Sequence, residues 1–475
     1  MMLVPTIGIE VHVELKSNSK VFSRSKNNFN DPINTNVSVL DLAYPGTLPR
    51  LNHEVINMAL KACLALNCKI NQTMHFDRKN YFYPDLPKGF QITQKDTPIG
   101  YDGYLEINTK NGPKKIEIER IHIEEDTCKS IHTGDLTLLN YNRAGVPLIE
   151  IVSKPVISDG EEACLYLEAL RETLLYLGVS DVKMEEGSMR CDANISLKEE
   201  NATKFGTKTE IKNIGSISKV AISINYEIER QKAILEAGGT IQEETRRFDD
   251  KTNTTILMRV KETGNDYRYA PEPDIPFVVI SDEWMNEAKN SIGVMPEAMR
   301  NEYAGYGIST NNIKTLVAFK DLNDYYRSIY NKTDKVILAN LLTGDILSHL
   351  NKNNIALKDT KLTDDNLISL VNMLVSKKIS SKQGKEILPY ILESDLSFAE
   401  IIDKLGIKEV DNSALETIVT KVLDENEQSV NDYKAGKDKA LKYLMGQIMK
   451  ETKGQANPEV VNRMLIDKLQ ILNKD

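Results

Sequence analysis

The first predicted strand reads T-I-G-I-E-V-H-V-E-L from Thr6 to Leu15, and polar and apolar residues alternate in it without a break. Because successive side chains of a strand point to opposite faces, the isoleucines, valines and leucine share one face, while Glu10, His12 and Glu14 share the other. The apolar face predicts a core. Two carboxylates around an imidazole predict either a divalent-cation or acid-base site or a charged sheet face in contact with solvent.

Composition limits the class of protein. The chain has 475 residues, of which 41% are hydrophobic and 27% charged, as is typical of a globular protein with two to four domains. No apolar run approaches the roughly 18 residues that a membrane span needs, and the first residues lack the basic region of a signal peptide. Five cysteines without C-x-x-C spacing indicate buried thiols in a reducing compartment. These features predict a cytoplasmic protein.

Charge and texture change along the chain. The net charge is −9, which argues against a surface covered by nucleic acid. Nevertheless, residues 434–475 contain nine basic and five acidic side chains, a local charge of +4. Short alternating strands fill the part before about residue 290, and helical spacing begins at Pro296. We predict an α+β domain at 1–293, a helical domain at 294–407 and a small basic helical tail at 408–475.

A second strand begins at Lys115 and ends at Glu125. Its apolar residues move from even to odd positions at Arg120, which predicts a β-bulge. Beyond the bulge, His122 and Glu124 share one face. Bulges often re-aim side chains next to active sites, so this face is a candidate for function.

Glu150 is the lone carboxylate in the apolar run P-L-I-E-I-V at 147–152. A buried carboxylate is costly unless it is paired or binds a metal. Glu150 therefore needs a partner. A structural salt bridge to Arg143 or Lys154 is the alternative to a functional site.

Residues 188–197 and 207–212 alternate in the same manner and predict the two arms of a hairpin. Their polar face carries Arg190, Asp192, Asn194 and Glu210, which are poor strand formers and so favour a role beyond folding. Carboxylates and histidine without cysteine suit Mg²⁺ or Mn²⁺ and point to nucleotide chemistry. Neither a P-loop nor a Rossmann motif occurs in the sequence.

The segment from Phe76 to Gln94 reads F-D-R-K-N-Y-F-Y-P-D-L-P-K-G-F-Q-I-T-Q and interleaves cations with aromatic residues. Cations for phosphates and aromatic faces for bases suit a nucleotide or a single-stranded RNA end. An aromatic loop packed under the edge of a core is the alternative.

Long motifs carry a resemblance that runs from end to end of the chain. They are G-I-E-V-H-V-E-L at Gly8 to Leu15, F-D-R-K-N-Y-F-Y-P-D-L-P-K-G-F-Q at Phe76 to Gln91, H-I-E-E-D at His122 to Asp126, N-R-A-G-V-P-L-I-E-I-V at Asn142 to Val152, G-S-M-R-C-D-A-N-I-S at Gly187 to Ser196 and M-G-Q-I-M-K-E-T-K-G-Q-A-N-P at Met445 to Pro458. With these motifs the chain resembles the GatB/GatE family, the B subunits of the aspartyl/glutamyl-tRNA amidotransferases.

The resemblance implies a fold and an activity. The fold is an antiparallel-sheet cradle domain with a kinase-like site, then an all-α domain and a small YqeY-like tail that binds tRNA. The activity is phosphorylation, with ATP and Mg²⁺, of the side-chain carboxylate of Glu on tRNA(Gln) or Asp on tRNA(Asn). Ammonia from a partner glutaminase, the A subunit, then displaces the phosphate, and the heterotrimer is completed by a small C subunit. Which of the two tRNAs is the natural substrate is left open.

The resemblance also assigns residues. Metal binding and catalysis fall to Glu10, His12, Glu124 and Glu150, with Glu125 as the rival of Glu124. Catalysis further involves Asp192, which would orient the substrate or a water. Contacts to the nucleotide fall to Lys79, Tyr81, Lys88, Gln91 and Arg190.

The same resemblance gives the tail the task of contacting tRNA phosphates through Lys437, Lys439, Lys442, Lys450 and Lys453, which predicts salt-sensitive binding. Two positions depart from the family pattern. Ala270 stands where an aromatic residue is usual, which leaves open whether Asp266 and Arg268 line the site. Glu14 stands where Gln is common, and we expect it to be only solvated.

Overall fold

The computed structural model describes residues 2–28, 30–260, 267–407, 412–452 and 456–471. The chain divides into two units, Met1–Pro296 and Glu297–Asp475. The first unit mixes strands and helices, and the second is helical in its described part. The predicted fold class, an α+β region followed by helices, is confirmed.

The described strands are β1 (Leu3–Glu14), β2 (Lys69–Ile70), β3 (Thr73–Met74), β4 (Asp77–Asn80), β5 (Phe90–Thr93), β6 (Gly100–Thr109), β7 (Gly112–Glu125), β8 (Lys129–Thr133), β9 (Leu136–Asn140), β10 (Pro147–Ser153), β11 (Met189–Glu199), β12 (Thr209–Lys212), β13 (Glu244–Asp249), β14 (Thr254–Val260), β15 (Ala270–Pro271) and β16 (Val278–Val279).

The described α-helices are α1 (His53–Ala65), α2 (Gly160–Leu177), α3 (Ile217–Glu236), α4 (Asp282–Asn290), α5 (Pro296–Gly305), α6 (Thr310–Ala318), α7 (Lys320–Ile329), α8 (Lys335–Leu341), α9 (Leu347–Asn353), α10 (Asp364–Val375), α11 (Ser381–Glu393), α12 (Phe398–Lys404), α13 (Asn412–Glu425), α14 (Glu427–Lys434), α15 (Asp438–Glu451) and α16 (Pro458–Ile471). A π-helical turn at Leu342–Ile346 joins α8 to α9, and a 3₁₀ turn lies at Leu357–Asp359.

One large sheet organises the first unit. Its strands follow the order β14-β13-β12-β11-β1-β10-β7-β6-β2. The described neighbours are antiparallel except for the parallel pair β12 and β13. β1 lies at the centre, between β11 and β10. The predicted hairpin is confirmed, because β11 and β12 pair antiparallel.

The predicted bulge in β7 is also confirmed. Val152 of β10 pairs with Arg120, but the next residue of β10, Ser153, pairs with Ile118, so Glu119 is an extra residue. β6 stays in step with β7 through this region. Opposite Glu119 lies Asp102, whose backbone has a φ of +48°. The irregularity therefore crosses two neighbouring strands.

The apolar face of the sheet forms the core. Ile7, Ile9, Val11 and Val13 of β1 have no exposed surface, and they belong to one cluster with apolar residues of α1, α2 and α3. Burying each such side chain stabilises the fold by about 2 kcal/mol. Because the helices cover this face, the acids, histidines and cations of the strands project from the other one.

A small hairpin lies beside the polar face. β4 pairs with β5 and with β15, and the loop between β4 and β5 carries the aromatic and cationic residues of the predicted phosphate segment. Phe82 and Tyr83 in this loop are 74% and 60% exposed. The alternative of an aromatic loop packed under a core edge is therefore wrong for these two side chains.

The second unit is built from α-helices with a separate apolar cluster near the C-terminus. That cluster combines side chains of α13, α15 and α16, including Val419, Ile448 and Val461. Lys437 directly precedes α15, whereas Lys439, Lys442 and Lys450 lie in it with exposed side chains. Among the described helices, none has both the length and the apolar character to cross a membrane.

Candidate active site

Three neighbouring strands set imidazoles and carboxylates side by side on the polar face. His12 of β1 lies opposite Glu150 of β10, and Glu150 lies opposite His122 of β7. Residues directly opposite each other in an antiparallel pair project to the same face, with Cβ atoms about 4.5 to 5.5 Å apart. The register thus brings these side chains together, and Glu124, two residues beyond His122, joins them.

His12, Glu124 and Glu150 form the cluster that we call the trio. His12 Nε2 lies 3.4 Å from Glu124 Oε1 and 3.5 Å from Glu150 Oε2, and the donor atoms of all three lie within 4.8 Å of one another. The carboxylates are nearly buried, whereas the His12 side chain keeps 24% of its surface exposed. One imidazole nitrogen and carboxylate oxygens are a donor set that fits Mg²⁺ or Mn²⁺.

His122 is the residue that sequence reasoning left without a role. Its Nε2 lies 2.9 Å from Glu150 Oε2 and 3.6 Å from Glu124 Oε2. Burial would lower the pKa of His122, but the charge of Glu150 and hydrogen bonds to both carboxylates raise it to about 9. The signal that could have found it is its position on the same strand face as Glu124.

The two carboxylates of the trio are held as anions. Burial alone would raise the pKa of Glu150, yet His122 and His12 hold it below its ordinary value. The pKa of Glu124 is lowered too, since its hydrogen bond with His122 and the charges of His12 and His122 together outweigh burial and the charge of Glu150. The trio therefore concentrates negative charge in a nearly buried position, and buried charges in proteins are paired or bind metals.

Glu10 stands outside the trio. Asn194 donates a 2.8 Å hydrogen bond from Nδ2 to Glu10 Oε1, and burial, Glu150 and Asp192 together raise the pKa of Glu10. Asp192 lies opposite Glu10 on β11 and accepts a 2.7 Å hydrogen bond from Lys212. These two acids extend the polar face on the β11 side.

Glu124 and Glu125 have different surroundings. Glu125 forms an ion pair with Lys88, and its Oε1 also accepts a 2.9 Å hydrogen bond from the backbone N–H of Ile92. It therefore fastens β7 to the β4–β5 hairpin. Of the two, the structure brings Glu124 to His12.

Lys79 is a cation whose charge acts on the trio. Burial lowers the pKa of its ammonium group, but Glu124, Tyr269 and Glu150 raise it by more, so the net pKa lies above the ordinary value. Its Nζ lies 4.9 Å from the centre of the Tyr267 ring. The charges of the two carboxylates thus help to keep this ammonium group protonated.

Tyr81 and Gln91 support the hairpin that carries Lys79. The Tyr81 hydroxyl lies 3.4 Å from Gln91 Oε1, and burial raises the pKa of Tyr81, which keeps that hydroxyl protonated. Gln91 in turn donates a 2.8 Å hydrogen bond to the backbone oxygen of Glu125. Beside these residues lies an open groove of about 540 Å³, lined by Lys79, Asn80, Tyr81, Phe82, Tyr83, Arg259 and Tyr267.

Glu14 is the last residue of β1, and Arg190 lies on the neighbouring strand β11. The expectation for Glu14 was wrong. Arg190 forms a 2.8 Å ion pair with Asp126. Glu14 is not simply solvated: burial and the charge of Asp126 raise its pKa to about 7, although Arg190 and Arg143 oppose the rise. Burial is the larger cause, and the turn after β7 adds the charge of Asp126 near this end of the strand.

The predicted salt-bridge partners of Glu150 were also wrong. Arg143 donates to the backbone oxygens of Thr127 and Cys128, and Lys154 lies 3.3 Å from Glu117. The physical reason is register, since the strands on either side of β10 offer Glu150 two imidazoles. Two other assigned residues, Asp266 and Lys453, lie outside the described residues.

Comparison with known proteins agrees with this architecture. Residues 5–286 match the GatB/GatE catalytic domain, and residues 324–469 match the GatB domain. The domain that contains the sheet and its polar face is thus of the GatB/GatE catalytic class.

Full-length relatives extend the match. The B subunit of the aspartyl/glutamyl-tRNA(Asn/Gln) amidotransferase of Geobacillus thermodenitrificans (strain NG80-2) is 48% identical over 467 residues, 98% of each chain. The protein of the same name from Bacillus cereus (strain AH187) is 48% identical over 472 residues, 99% of each chain. The present chain belongs to the GatB/GatE family.

Proposed function

We propose that this chain is the B subunit of a tRNA-dependent amidotransferase, a ligase that forms a C–N bond with glutamine as the amide donor. It would use ATP and Mg²⁺ to phosphorylate the side-chain carboxylate of Glu on tRNA(Gln), of Asp on tRNA(Asn), or of both. The observation that carries the proposal is the trio, which lies in the part of the chain that matches the GatB/GatE catalytic domain.

The chemistry explains why such a site needs anchored charges. A carboxylate oxygen is a poor leaving group, so the substrate carboxylate first attacks the γ-phosphorus of ATP, and ADP leaves. Ammonia then forms the C–N bond, loses a proton, and inorganic phosphate leaves with the electrons of the C–O bond. An acyl phosphate hydrolyses in bulk water, so ammonia must reach it in a sheltered site.

The residues of the polar face fit distinct parts of this reaction. His12, Glu124 and Glu150 would hold Mg²⁺, which when bound neutralises phosphate charge. Lys79 would supply a further positive charge to the phosphates, because the charges of Glu124 and Glu150 already act on its ammonium group. Glu10 remains in the proposed ligand set through the family resemblance, and Asp192 would orient the substrate.

Lys88 and Arg190 are proposed as additional phosphate contacts. Each is now paired with an acid, Lys88 with Glu125 and Arg190 with Asp126. Arg190 Nε is buried and has no hydrogen-bond partner among the described residues, so part of this guanidinium has hydrogen-bonding capacity left. Tyr81 and Gln91 would keep the hairpin in place beneath the nucleotide.

We further propose three domains, a cradle at 1–293, a helical domain at 294–407 and a YqeY-like tail at 408–475. The exposed lysines that precede and line α15 would contact tRNA phosphates. The relatives are named as one subunit of an amidotransferase, which implies a complex of several subunits. We propose a cytoplasmic heterotrimer with a glutaminase as the A subunit, together with a small C subunit.

The test is ATP hydrolysis by the reconstituted complex in the absence of an ammonia source. We expect turnover with Glu-tRNA(Gln) or Asp-tRNA(Asn) and none with correctly acylated Gln-tRNA(Gln). Glu150→Gln should abolish it. Glu161→Gln, which changes an exposed glutamate of α2 paired with Lys110, is the matched control and should leave it intact. Turnover that ignores both Glu150 and the acylation state would refute the proposal.

A further inference from the structure

We infer that His122 is a positioning residue that holds the two carboxylates of the trio in the orientation in which they bind a divalent cation. This inference rests on the proposed metal-binding role of His12, Glu124 and Glu150. It adds a function for a histidine that touches the ligands and not the substrate.

The contacts of Glu124 and Glu150 are the first argument for this role. Glu124 turns Oε1 toward His12 and Oε2 toward His122. Glu150 turns a single oxygen, Oε2, toward both rings. Because Nε2 of His122 lies 2.9 Å from one carboxylate and 3.6 Å from the other, it limits the rotation of both, and the hydroxyl of Thr93 adds a 3.5 Å contact to Glu124 Oε2. Without that donor, two nearly buried anions would lose one of the two imidazoles that contact them both.

The free-energy cost of burying an imidazole at position 122 is the second argument. The His122 side chain is 7% exposed, and its Nδ1 is buried without a hydrogen-bond partner among the described residues. An unpaired buried polar atom destabilises a fold, and an apolar side chain would fill the same space without that cost. The contacts that justify a histidine are therefore those of Nε2 with Glu150 and Glu124.

His122 needs only a proton on Nε2 to act in this way. That proton is present both in the imidazolium and in the neutral tautomer protonated at Nε2. Carboxylates and backbone groups that orient a metal ligand commonly matter 10- to 100-fold for metal affinity, by order of magnitude. Here the orienting group is a histidine and the oriented ligands are the carboxylates.

The experiment measures Mn²⁺ binding to the full chain by electron paramagnetic resonance of the free ion, without nucleotide or tRNA. His122→Phe keeps the volume of the ring and removes the donor, and His122→Asn has an amide too short to reach Glu150. We expect both variants to weaken Mn²⁺ binding by about 10- to 100-fold. His122→Gln restores a nitrogen donor at the position of Nε2, and we expect it to bind within about threefold of the unaltered chain.

A matched control comes from His75, which lies 3.3 Å from a different carboxylate, Asp77. His75→Phe should leave Mn²⁺ binding unchanged. Far-ultraviolet circular dichroism of each variant establishes that it is folded, and two unrelated replacements at position 122 guard against the failure of one. Gln restoration distinguishes a donor from a space-filling side chain.

The outcomes separate the inference from the proposed function. Unchanged affinity in His122→Phe and His122→Asn, or a Gln variant as weak as the Phe variant, would overturn the positioning role while leaving the trio as a metal site. If Glu150→Gln binds Mn²⁺ as well as the unaltered chain does, the metal site itself is wrong, and the inference falls with it.

Discussion

Two regions of the first unit offer nearly the same donors in different settings. One is the trio of His12, Glu124 and Glu150, and the other is the cluster of His75, Asp77 and Asp96, which we call the His75 cluster. Each contains one imidazole and two carboxylates, with donor atoms within 4.8 Å of one another. The trio draws its members from three strands, whereas the His75 cluster lies around one small hairpin.

Polar groups of the His75 cluster already form hydrogen bonds with residues close to them in the chain. Asp77 accepts a 2.8 Å hydrogen bond from the backbone N–H of Lys95, and His75 Nδ1 lies 3.0 Å from the hydroxyl of Thr97. Asp96 is exposed. In the trio both acids are nearly buried, and their nearest partners are two histidines. A donor set thus becomes a candidate site when buried charge converges from separate strands.

The largest expected effect concerns the imidazoles of the two clusters. His12→Asn should lower the ATP turnover of the reconstituted complex by about a thousandfold, roughly 4 kcal/mol in the barrier, since it removes a proposed metal ligand. His75→Asn should change turnover by less than about twofold, because His75 contacts Asp77 and Thr97, which are not members of the trio. Even a threefold change would correspond to only about 0.7 kcal/mol. Comparable losses in steady-state assays of both variants would show that the two clusters are not different in kind.

A second test compares the neighbouring acids Glu124 and Glu125. Lys88→Met removes the cation that pairs with Glu125 and leaves that nearly buried carboxylate without its charge partner. We expect the free energy of unfolding in urea to fall by about 3 kcal/mol.

Its control is Lys110→Met, which removes an exposed ion pair with Glu161 and should cost less than about 1 kcal/mol. A loss for Lys88→Met no larger than that of the control would mean that Glu125 does not depend on Lys88.

A third test asks whether Asp77 stabilises the hairpin only. Asp77→Asn removes the negative charge of a side chain that accepts a hydrogen bond from the backbone N–H of Lys95 and lies 3.3 Å from His75. Hydrogen bonds to charged groups contribute about 2 kcal/mol, so we expect a loss of that size in the free energy of unfolding. Mn²⁺ affinity should stay unchanged. A weakened affinity would identify the His75 cluster as a second cation site.

The smallest effect concerns the hydroxyl behind His75. Thr97→Val removes the oxygen that accepts a 2.8 Å hydrogen bond from the His75 backbone N–H and contacts Nδ1. We expect a loss of about 1 kcal/mol in stability, measured by thermal unfolding. No change at all would indicate that solvent replaces the hydroxyl without cost.

Much of the fold followed from local alternation. The alternation of β1 correctly separated its core face from its polar face, and the phase change at Arg120 correctly located the bulge. Strand parity also placed His122 with Glu124. These features were predictable because the period of side chains in a strand is fixed by the backbone.

Other features depend on contacts that no local pattern contains. The ion pair of Glu125 with Lys88 joins residues 37 positions apart, and the pKa of Glu14 depends on Asp126 across a turn. The irregularity in β6 left no signal for a different reason. Its inward positions Gly100 and Gly103 are glycines, which carry no hydrophobic side chain to mark the phase.

The paired irregularity of β6 and β7 has a consequence for how the gene can change length. Asp102 and Glu119 are extra residues that face each other, so each strand keeps the other in step. Loss of one of these two codons would leave β6 and β7 one residue out of register, whereas loss of both would keep their pairing in register. We expect relatives of this chain to gain or lose these two residues together, as a linked pair of insertions.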